Sequence, residues 1–183
     1  FQHKKINILE LGAFEGEATE WFLVNLCTHP DSKVYALDTW EGSTEYIHVN
    51  FKKIEKIFNE KIKSINKMNQ LIKMKINTEK GLVELYNNKI EFDIIFIDAS
   101  HLAKDVLSDA ILSWKILKNG GVLIFDDYRW NKLEKNIDKP KIAIDSFLKI
   151  YSNEIKILEM KYQVLIKKDK KELKNENHKL NNY

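Results

Sequence analysis

Residues 92–98 read FDIIFID, a nearly unbroken apolar run that ends in an acid. Central strands of parallel sheets, which are buried on both faces, have this pattern. Shorter runs of the same kind are predicted to be strands as well: residues 6–12, 33–38, 71–77 and 122–127. Residues 155–168 contain two more β-like segments with no helix between them, so we expect an antiparallel strand at the end of the sheet.

Helical segments separate these strands. Apolar residues suit helices over residues 18–27, 51–65, 103–117 and 140–150, the first of which is apolar nearly all round. Gly120 and Gly121 are expected to stop the third helix, and Asp138 is the candidate N-cap before Pro140. The alternation predicts an α/β fold with a doubly wound, mostly parallel seven-stranded sheet and an antiparallel final strand.

The composition is typical of one globular domain. Of the 183 residues, 44% are hydrophobic and 31% are charged, which excludes a disordered or fibrous chain. We expect a single domain over residues 1–168 and a polar tail over residues 169–183 that is disordered or a frayed helix. No apolar run approaches the roughly 20 residues that cross a bilayer, and Cys27 is the only cysteine. We therefore expect a cytoplasmic protein with no disulfide, no cysteine-based zinc site and no membrane partner.

The net charge of +3 comes from residues 167–183, because acids and bases balance in the rest of the chain. A uniformly basic nucleic-acid-binding domain is therefore not indicated. Residues 51–75 nevertheless carry eight lysines against two glutamates. This segment is either the solvated face of a helix or a docking patch for an anion.

Polar side chains lie where the predicted strands end. They are Glu10, Asp98, Asp126 and Asp127, together with Asp38 and the pair Asn77 and Thr78. Ligands of doubly wound sheets bind at the carboxyl ends of the strands. The candidate site is therefore at this edge of the sheet.

The turn after the first strand has the pattern Glu10-x-Gly12-x-x-x-Gly16. Glycines there allow close approach of a ligand to the backbone. The middle glycine of the dinucleotide fingerprint is missing, so a plain tight turn remains an alternative. Asp38 follows roughly 20 residues later in the sequence, at the end of the second predicted strand, where a carboxylate can accept hydrogen bonds from ribose hydroxyls. The glycine turn and Asp38 together favour a ligand that contains adenosine.

Four motifs together resemble the class I S-adenosylmethionine-dependent methyltransferases, which have a Rossmann-like fold. They are ELGAFEG (residues 10–16), ALDTWEG (36–42), FDIIFIDASH (92–101) and GGVLIFDDY (120–128). The resemblance covers about residues 6–168. It is strongest to the small metal-dependent O-methyltransferases that include the macrocin-type sugar methyltransferases, with catechol O-methyltransferase as a more distant relative.

The resemblance implies a cofactor-binding role for several residues. Gly12 and Gly16 would line the methionine end, Glu10 would order the loop, and Asp38 would hold the ribose. Asn77 or Thr78 would border the adenine. The full predicted set is Glu10, Gly12, Ala13, Phe14, Gly16, Asp38, Thr39, Trp40, Asn77, Thr78, Asp98 and His101. For Trp40 an ordinary core aromatic is the alternative.

A magnesium site is predicted from Asp98, Asp126 and Asp127. Three converging carboxylates without a cation would raise one another's pKa values, and oxygen ligands suit Mg²⁺. In metal-dependent relatives the matching positions hold the metal. The alternative is that one of the three aspartates merely caps the following turn.

His101 is the predicted general base, in an active site that also includes Asp98. An imidazole can remove a hydroxyl proton at neutral pH. The alternative is that His101 binds the cofactor or caps the next helix, and Lys104 is the second candidate base. Residues 128–130 either wall the acceptor pocket or form a surface loop.

These residues predict magnesium-assisted O-methylation of a small hydroxylated molecule, such as a sugar or a catechol-like compound. Three alternatives are a nicotinamide-dependent oxidoreductase, a non-catalytic module that binds a cofactor or a partner, and an RNA-directed methyltransferase that uses residues 51–75. The sequence leaves open whether the protein is a homo-oligomer.

Overall fold

The computed structural model describes residues 3–42 and 50–169. The strands in these ranges are β1 (Asn7–Leu11), β2 (Lys33–Asp38), β3 (Leu71–Lys75), β4 (Phe92–Ile97), β5 (Leu117–Phe125), β6 (Ile155–Met160) and β7 (Val164–Lys168). The helices are α1 (Glu17–Asn25), α2 (Phe51–Ser64), α3 (Thr78–Asn87), α4 (Ala103–Ile116) and α5 (Pro140–Ile150). The expected tail, apart from Asp169, lies outside the described residues.

The strands form one sheet in the order β3-β2-β1-β4-β5-β7-β6. The first five in this order are mutually parallel, and β7 is antiparallel to both of its neighbours. The predicted α/β fold, with a mostly parallel seven-stranded sheet and an antiparallel final strand, is confirmed. The order reverses between β1 and β4, and such a switch point opens a crevice at the carboxyl ends of the strands.

Helices cover both faces of the sheet. Helices α1 and α2 pack on one face around Phe22, Phe58 and Ile62, whereas α3, α4 and α5 pack on the other around Leu82, Trp114 and Phe147. Strand β1 serves both layers because successive side chains point to opposite faces. The core therefore fixes the strand ends relative to one another from both sides.

The lysine-rich segment is the solvated face of a helix. Helix α2 buries Ile54, Phe58 and Ile62 and turns its lysines outward. Within the same segment, Lys73 and Lys75 both pair with Glu55, at 2.7 and 2.6 Å. Two of the eight lysines thus share one glutamate beside the sheet.

Two predictions about helix ends are wrong. Helix α4 ends at Ile116, and Gly120 and Gly121 lie inside β5. They lie where the pairing of β4 with β5 shifts register, so these glycines belong to a bulge rather than a helix stop. Asp138 is not the N-cap of α5, because it ends a short 3-10 turn and Lys139 occupies the cap position.

Sequence reasoning missed one helix and overstated the burial of another. Helix α3 buries only Gly81, Leu82 and Leu85, too few apolar positions to give a clear helical period. Helix α1 was expected to be apolar nearly all round, yet Trp21 is 52% exposed. None of the helices in the described part of the chain has the length and apolar character needed to cross a membrane.

The end of β1 can accommodate only a glycine. Gly12 has a φ of +89°, and a Cβ atom there would lie 2.0 Å from the carbonyl oxygen of Asp98. Gly120 has a similar φ of +80°, but the nearest atom to its Cβ would be 3.9 Å away, on Lys167. The two glycines therefore share a backbone conformation and differ in the space around them.

We predict that Gly12→Ala destabilises the protein far more than Gly120→Ala. Both changes carry the cost of a left-handed residue, about 1–2 kcal/mol, and only the first adds overpacking against backbone, about 1–3 kcal/mol. Urea unfolding followed by circular dichroism measures both. Equal losses of stability in the two variants would contradict this prediction, because β4 would then have moved away from the added methyl group at no cost in free energy.

Candidate active site

A cleft of about 620 Å³ lies at the carboxyl ends of the parallel strands. This volume is in the usual range for small-molecule sites. Most of the predicted site residues line it, namely Gly12, Phe14, Asp38, Thr39, Asn77, Thr78, Asp98, His101, Asp126, Asp127 and Trp130. The structure thus brings the two halves of the predicted site, which lie far apart in the sequence, into one cavity.

Four of the predicted cofactor residues do not line the cleft: Glu10, Ala13, Gly16 and Trp40. Ala13 and Trp40 belong to the core beside α1 and α2. Gly16 is the N-cap of α1 in a left-handed conformation, and a Cβ atom there would lie 2.8 Å from the ring of Phe58. The backbone conformation and the packing against Phe58 both favour glycine at this position.

Asp38 closes the turn between β1 and α1. Its carboxylate accepts hydrogen bonds from the backbone N–H of Phe14 at 2.9 Å and of Trp40 at 2.7 Å. The indole N–H of Trp40 donates to the carbonyl of Phe14 at 2.9 Å. Trp40 is only 2% exposed, so it is a core aromatic that acts on the cleft through Phe14.

Glu10 lies beneath the same turn and is 1% exposed. Its carboxyl accepts a short hydrogen bond from the hydroxyl of Thr19 on α1. Burial raises the pKa of Glu10 to about 8, because a charged carboxylate is poorly solvated inside the protein. At neutral pH Glu10 is therefore mostly protonated and ties β1 to α1.

The other end of the cleft holds a compact acidic group. One ligand-type atom from each of Asp98, His101 and Asp127 lies within 4.8 Å of the others. The Nε2 atom of His101 is 2.8 Å from a carboxylate oxygen of Asp127. Asp126 lines the cleft beside this group, with its carboxylate accepting a hydrogen bond from Gln163 at 2.6 Å.

The charges of these acids influence one another. Burial raises the pKa of Asp98 to about 8, and the negative charges of Asp126 and Asp127 contribute. Burial also favours the neutral form of Asp127, but the hydrogen bond and charge of His101, with the hydroxyl of Tyr162, lower its pKa overall. The pKa of Asp126 is raised, mainly by burial. The site is thus rich in negative charge, which protonation of Asp98 partly relieves.

His101 is held between two partners. Its ring stacks on Trp130, with centroids 4.4 Å apart and planes 16° from parallel, while its Nε2 atom faces Asp127. Lys104, the second candidate base, is exposed on α4 and does not line the cleft. In the predicted wall, Trp130 lines the cleft, Arg129 is exposed and the hydroxyl of Tyr128 donates to Asp145.

Sequence reasoning missed two residues at this end. Tyr162 and Gln163, in the turn between β6 and β7, donate hydrogen bonds to Asp127 and Asp126. They are more than 30 residues from their partners in the chain. The signal was the antiparallel final strand, because a strand that runs back along β5 must begin beside the acids that end β5.

Comparison with known proteins agrees with this geometry. Residues 9–128 match a family model described as a methyltransferase domain. The chain belongs to this family of methyltransferase domains. The match includes the turn after β1, Asp38, and the acids that follow β4 and β5. As a member of the family, the protein is an S-adenosylmethionine-dependent methyltransferase.

Solved structures share the fold of this methyltransferase. An O-methyltransferase from Bacillus cereus, in complex with S-adenosylhomocysteine, is 20% identical with a TM-score of 0.67, over 88% of this chain and 74% of that one. TomG from Streptomyces achromogenes, a tomaymycin-synthesis O-methyltransferase in complex with S-adenosylmethionine, is 14% identical with a TM-score of 0.70, over 91% and 74%.

A third structure spans a longer chain. MycE, from the mycinamycin biosynthetic pathway, in complex with Mg, S-adenosylhomocysteine and mycinamycin VI, is 12% identical with a TM-score of 0.60. The match covers 98% of this chain and 48% of MycE. No curated protein sequence matches the methyltransferase closely.

We predict that Glu10→Gln changes how stability depends on pH. The carboxyl titrates near 4.5 in the unfolded chain and near 8 in the folded protein. Between these values the folded protein holds a proton that the unfolded chain has lost, so stability falls as pH rises, by about 1.4 kcal/mol per pH unit for one such group. Glutamine keeps an acceptor for Thr19 and cannot ionise.

The variant should therefore gain stability relative to the wild type between pH 5 and pH 8, by a few kcal/mol in total. Urea unfolding at pH 5, 6, 7 and 8 measures this gain. The matched control is Glu84→Gln, on the exposed face of α3, which should leave the pH dependence unchanged. Parallel curves for the wild type and Glu10→Gln would contradict a protonated Glu10.

Proposed function

We propose that this methyltransferase transfers the methyl group of S-adenosylmethionine to a hydroxyl oxygen of a small molecule, with help from a bound Mg²⁺. The observation that supports this most strongly is the placement of two different acidic sites in one cleft. Asp38 lies at one end and the group of Asp98, His101 and Asp127 at the other.

The charge of the cleft suits this cofactor. Asp38, Asp98, Asp105, Asp126 and Asp127 line the cleft, and its described lining residues include no lysine or arginine. Such a surface attracts a sulfonium cation and a divalent metal, and it repels phosphate groups. This favours S-adenosylmethionine over a nicotinamide dinucleotide, and a neutral small acceptor over RNA.

Asp38 would hold the ribose of the cofactor. The backbone N–H groups of Phe14 and Trp40 fix its carboxylate from behind, and each oxygen keeps a further lone pair for a ribose hydroxyl. Gly12 would face the methionine end, and Asn77 and Thr78 the adenine. When bound, S-adenosylmethionine supplies a methyl group that the sulfonium charge already activates.

The donor set of the acidic group fits Mg²⁺. Carboxylate oxygens are its preferred protein ligands. Burial is the main cause of the raised pKa of Asp98, and the negative charges of Asp126 and Asp127, which a cation would offset, raise it further. Asp98 and Asp127 would hold the ion, with Asp126 as the third carboxylate. A bound Mg²⁺ would lower the pKa of a substrate hydroxyl.

His101 would accept the proton that the acceptor loses. Asp127 and Trp130 fix the orientation of its ring, as a carboxylate fixes the histidine in hydrolytic triads. An acceptor with two adjacent oxygens, such as a vicinal diol of a sugar or a catechol, suits a metal held by three carboxylates. We also propose a cytoplasmic location, which suits a chain whose single cysteine, Cys27, is a buried free thiol.

A second candidate is methyl transfer without a metal. The 2.8 Å contact between His101 and Asp127 already forms the pair that a general base needs. In that case Asp127 orients the histidine rather than a cation.

We predict that Asp38→Asn weakens S-adenosylhomocysteine binding about ten- to hundred-fold. Hydrogen bonds to a charged group contribute about 1.5–3 kcal/mol, and asparagine loses both the charge and one acceptor oxygen. Isothermal titration calorimetry measures the affinity, with Asp138→Asn on the exposed surface as the matched control. Unchanged affinity, or tighter binding of NAD⁺ than of S-adenosylhomocysteine, would contradict the cofactor assignment.

We predict that turnover needs Mg²⁺. Release of S-adenosylhomocysteine, measured with catechol and with a panel of sugars carrying vicinal diols, should stop in EDTA and return when Mg²⁺ is added. Replacing Asp126 and Asp127 with alanine should abolish the Mg²⁺-dependent rate. Turnover that persists in EDTA and is lost in His101→Asn would instead support the metal-free base.

A further inference from the structure

We propose that Tyr162 and Gln163, in the turn between β6 and β7, are positioning residues that hold the carboxylates of Asp127 and Asp126 for a divalent cation. This inference rests on the proposed function. Neither residue belongs to a motif of the sequence, and neither is part of the acidic group itself. Their role follows from the hydrogen bonds that join the turn between β6 and β7 to the acids of the cleft.

The two residues make the same kind of contact. The hydroxyl of Tyr162 donates to Asp127 at 2.9 Å, and the side-chain amide of Gln163 donates to Asp126 at 2.6 Å. Two neighbouring donors thus each bind one of two neighbouring carboxylates. Sheet pairing produces this match. Phe125 on β5 lies opposite Val164 on the antiparallel strand β7, which places Asp126, the residue after Phe125, beside Gln163, the residue before Val164.

The backbone fixes the turn in the same place. The N–H of Tyr128 donates to the carbonyl of Tyr162 at 3.0 Å, and the N–H of Lys161 donates to the carbonyl of Gln163 at 2.9 Å. Asp127, next to this contact, has a φ of +49°, which non-glycine residues rarely adopt. Tyr162 therefore holds Asp127 through its side chain and holds the following residue through its backbone.

Neutral donors suit a site that has to attract a cation. A lysine or arginine at position 162 or 163 would hold the carboxylates equally well, but its charge would cancel theirs. Lys161, the other residue of the turn, pairs with Glu159 instead. A phenol and an amide restrict the rotamers of Asp126 and Asp127 and leave their negative charge in place. The turn binds only Oδ1 of each carboxylate, and Oδ2 of Asp127, which contacts His101 at 2.8 Å, keeps a further lone pair for a metal. The turn thereby reduces the conformational entropy that the two carboxylates lose when a cation binds, and it leaves their electrostatic attraction for the cation unchanged.

The test measures Mn²⁺ binding to the full chain in the presence of S-adenosylhomocysteine, from the electron paramagnetic resonance signal of free Mn²⁺. Tyr162→Phe removes one hydroxyl, and Gln163→Met removes the amide at similar length. Each should weaken Mn²⁺ binding about three- to ten-fold, and the double variant should weaken it further. Affinity for S-adenosylhomocysteine, measured by calorimetry, should stay within two-fold of the wild type.

The control is Tyr86→Phe on the exposed face of α3, which should not change either affinity. Mn²⁺ affinities equal to that of the wild type in both turn variants would overturn this proposal and leave the proposed function intact. Equal losses of Mn²⁺ and S-adenosylhomocysteine binding would also overturn it, by showing a general structural role. A wild type that binds S-adenosylhomocysteine but no Mn²⁺ would overturn both this proposal and the metal assignment.

Discussion

The repulsion among carboxylates at the ends of β4 and β5 is the constraint around which this site is built. Parallel strands that are paired in register end at the same level, so the acids that follow them share one cavity. Asp98, Asp126 and Asp127 meet there beside His101, whose Nε2 atom lies 2.8 Å from Asp127. Burial and this repulsion together raise the pKa of Asp98, and Asp127 and Asp126 each accept a hydrogen bond from the turn before β7.

Those donors come from elements that lie far apart in the chain. The core on both faces of the sheet sets the heights of the strand ends, and the tight contact of Gly12 with β4 fixes β1 beside the acid of β4. The return strand β7 then brings Tyr162 and Gln163 to the acids of β5. The geometry of the site is thus a consequence of strand pairing, and the loops add side chains to positions that the sheet has already determined.

This division explains what could be predicted from the sequence. Apolar runs that end in acids predicted the strands, their parallel arrangement and the cleft residues Asp38, Asp98 and Asp127. Helix α3 was missed because its few buried positions give no clear period, and the glycines inside β5 were misread because a bulge and a helix stop have the same composition. The burial of Trp40 and Glu10, and the contacts of the final turn, depend on packing across the sheet, which no local pattern contains.

Glu10 and Asp98 both have a pKa of about 8, but their different positions in the fold give the two carboxyls different roles. Glu10 is sealed beneath the first turn, where its carboxyl accepts the hydroxyl of Thr19 and links β1 to α1. Asp98 opens onto the cleft, where the proposed divalent cation would replace its proton. Binding of a divalent ion there would release that proton, and affinity for the ion should rise with pH up to about 8. The same burial that makes Glu10 a structural residue therefore makes Asp98 a residue that can exchange a proton for a ligand.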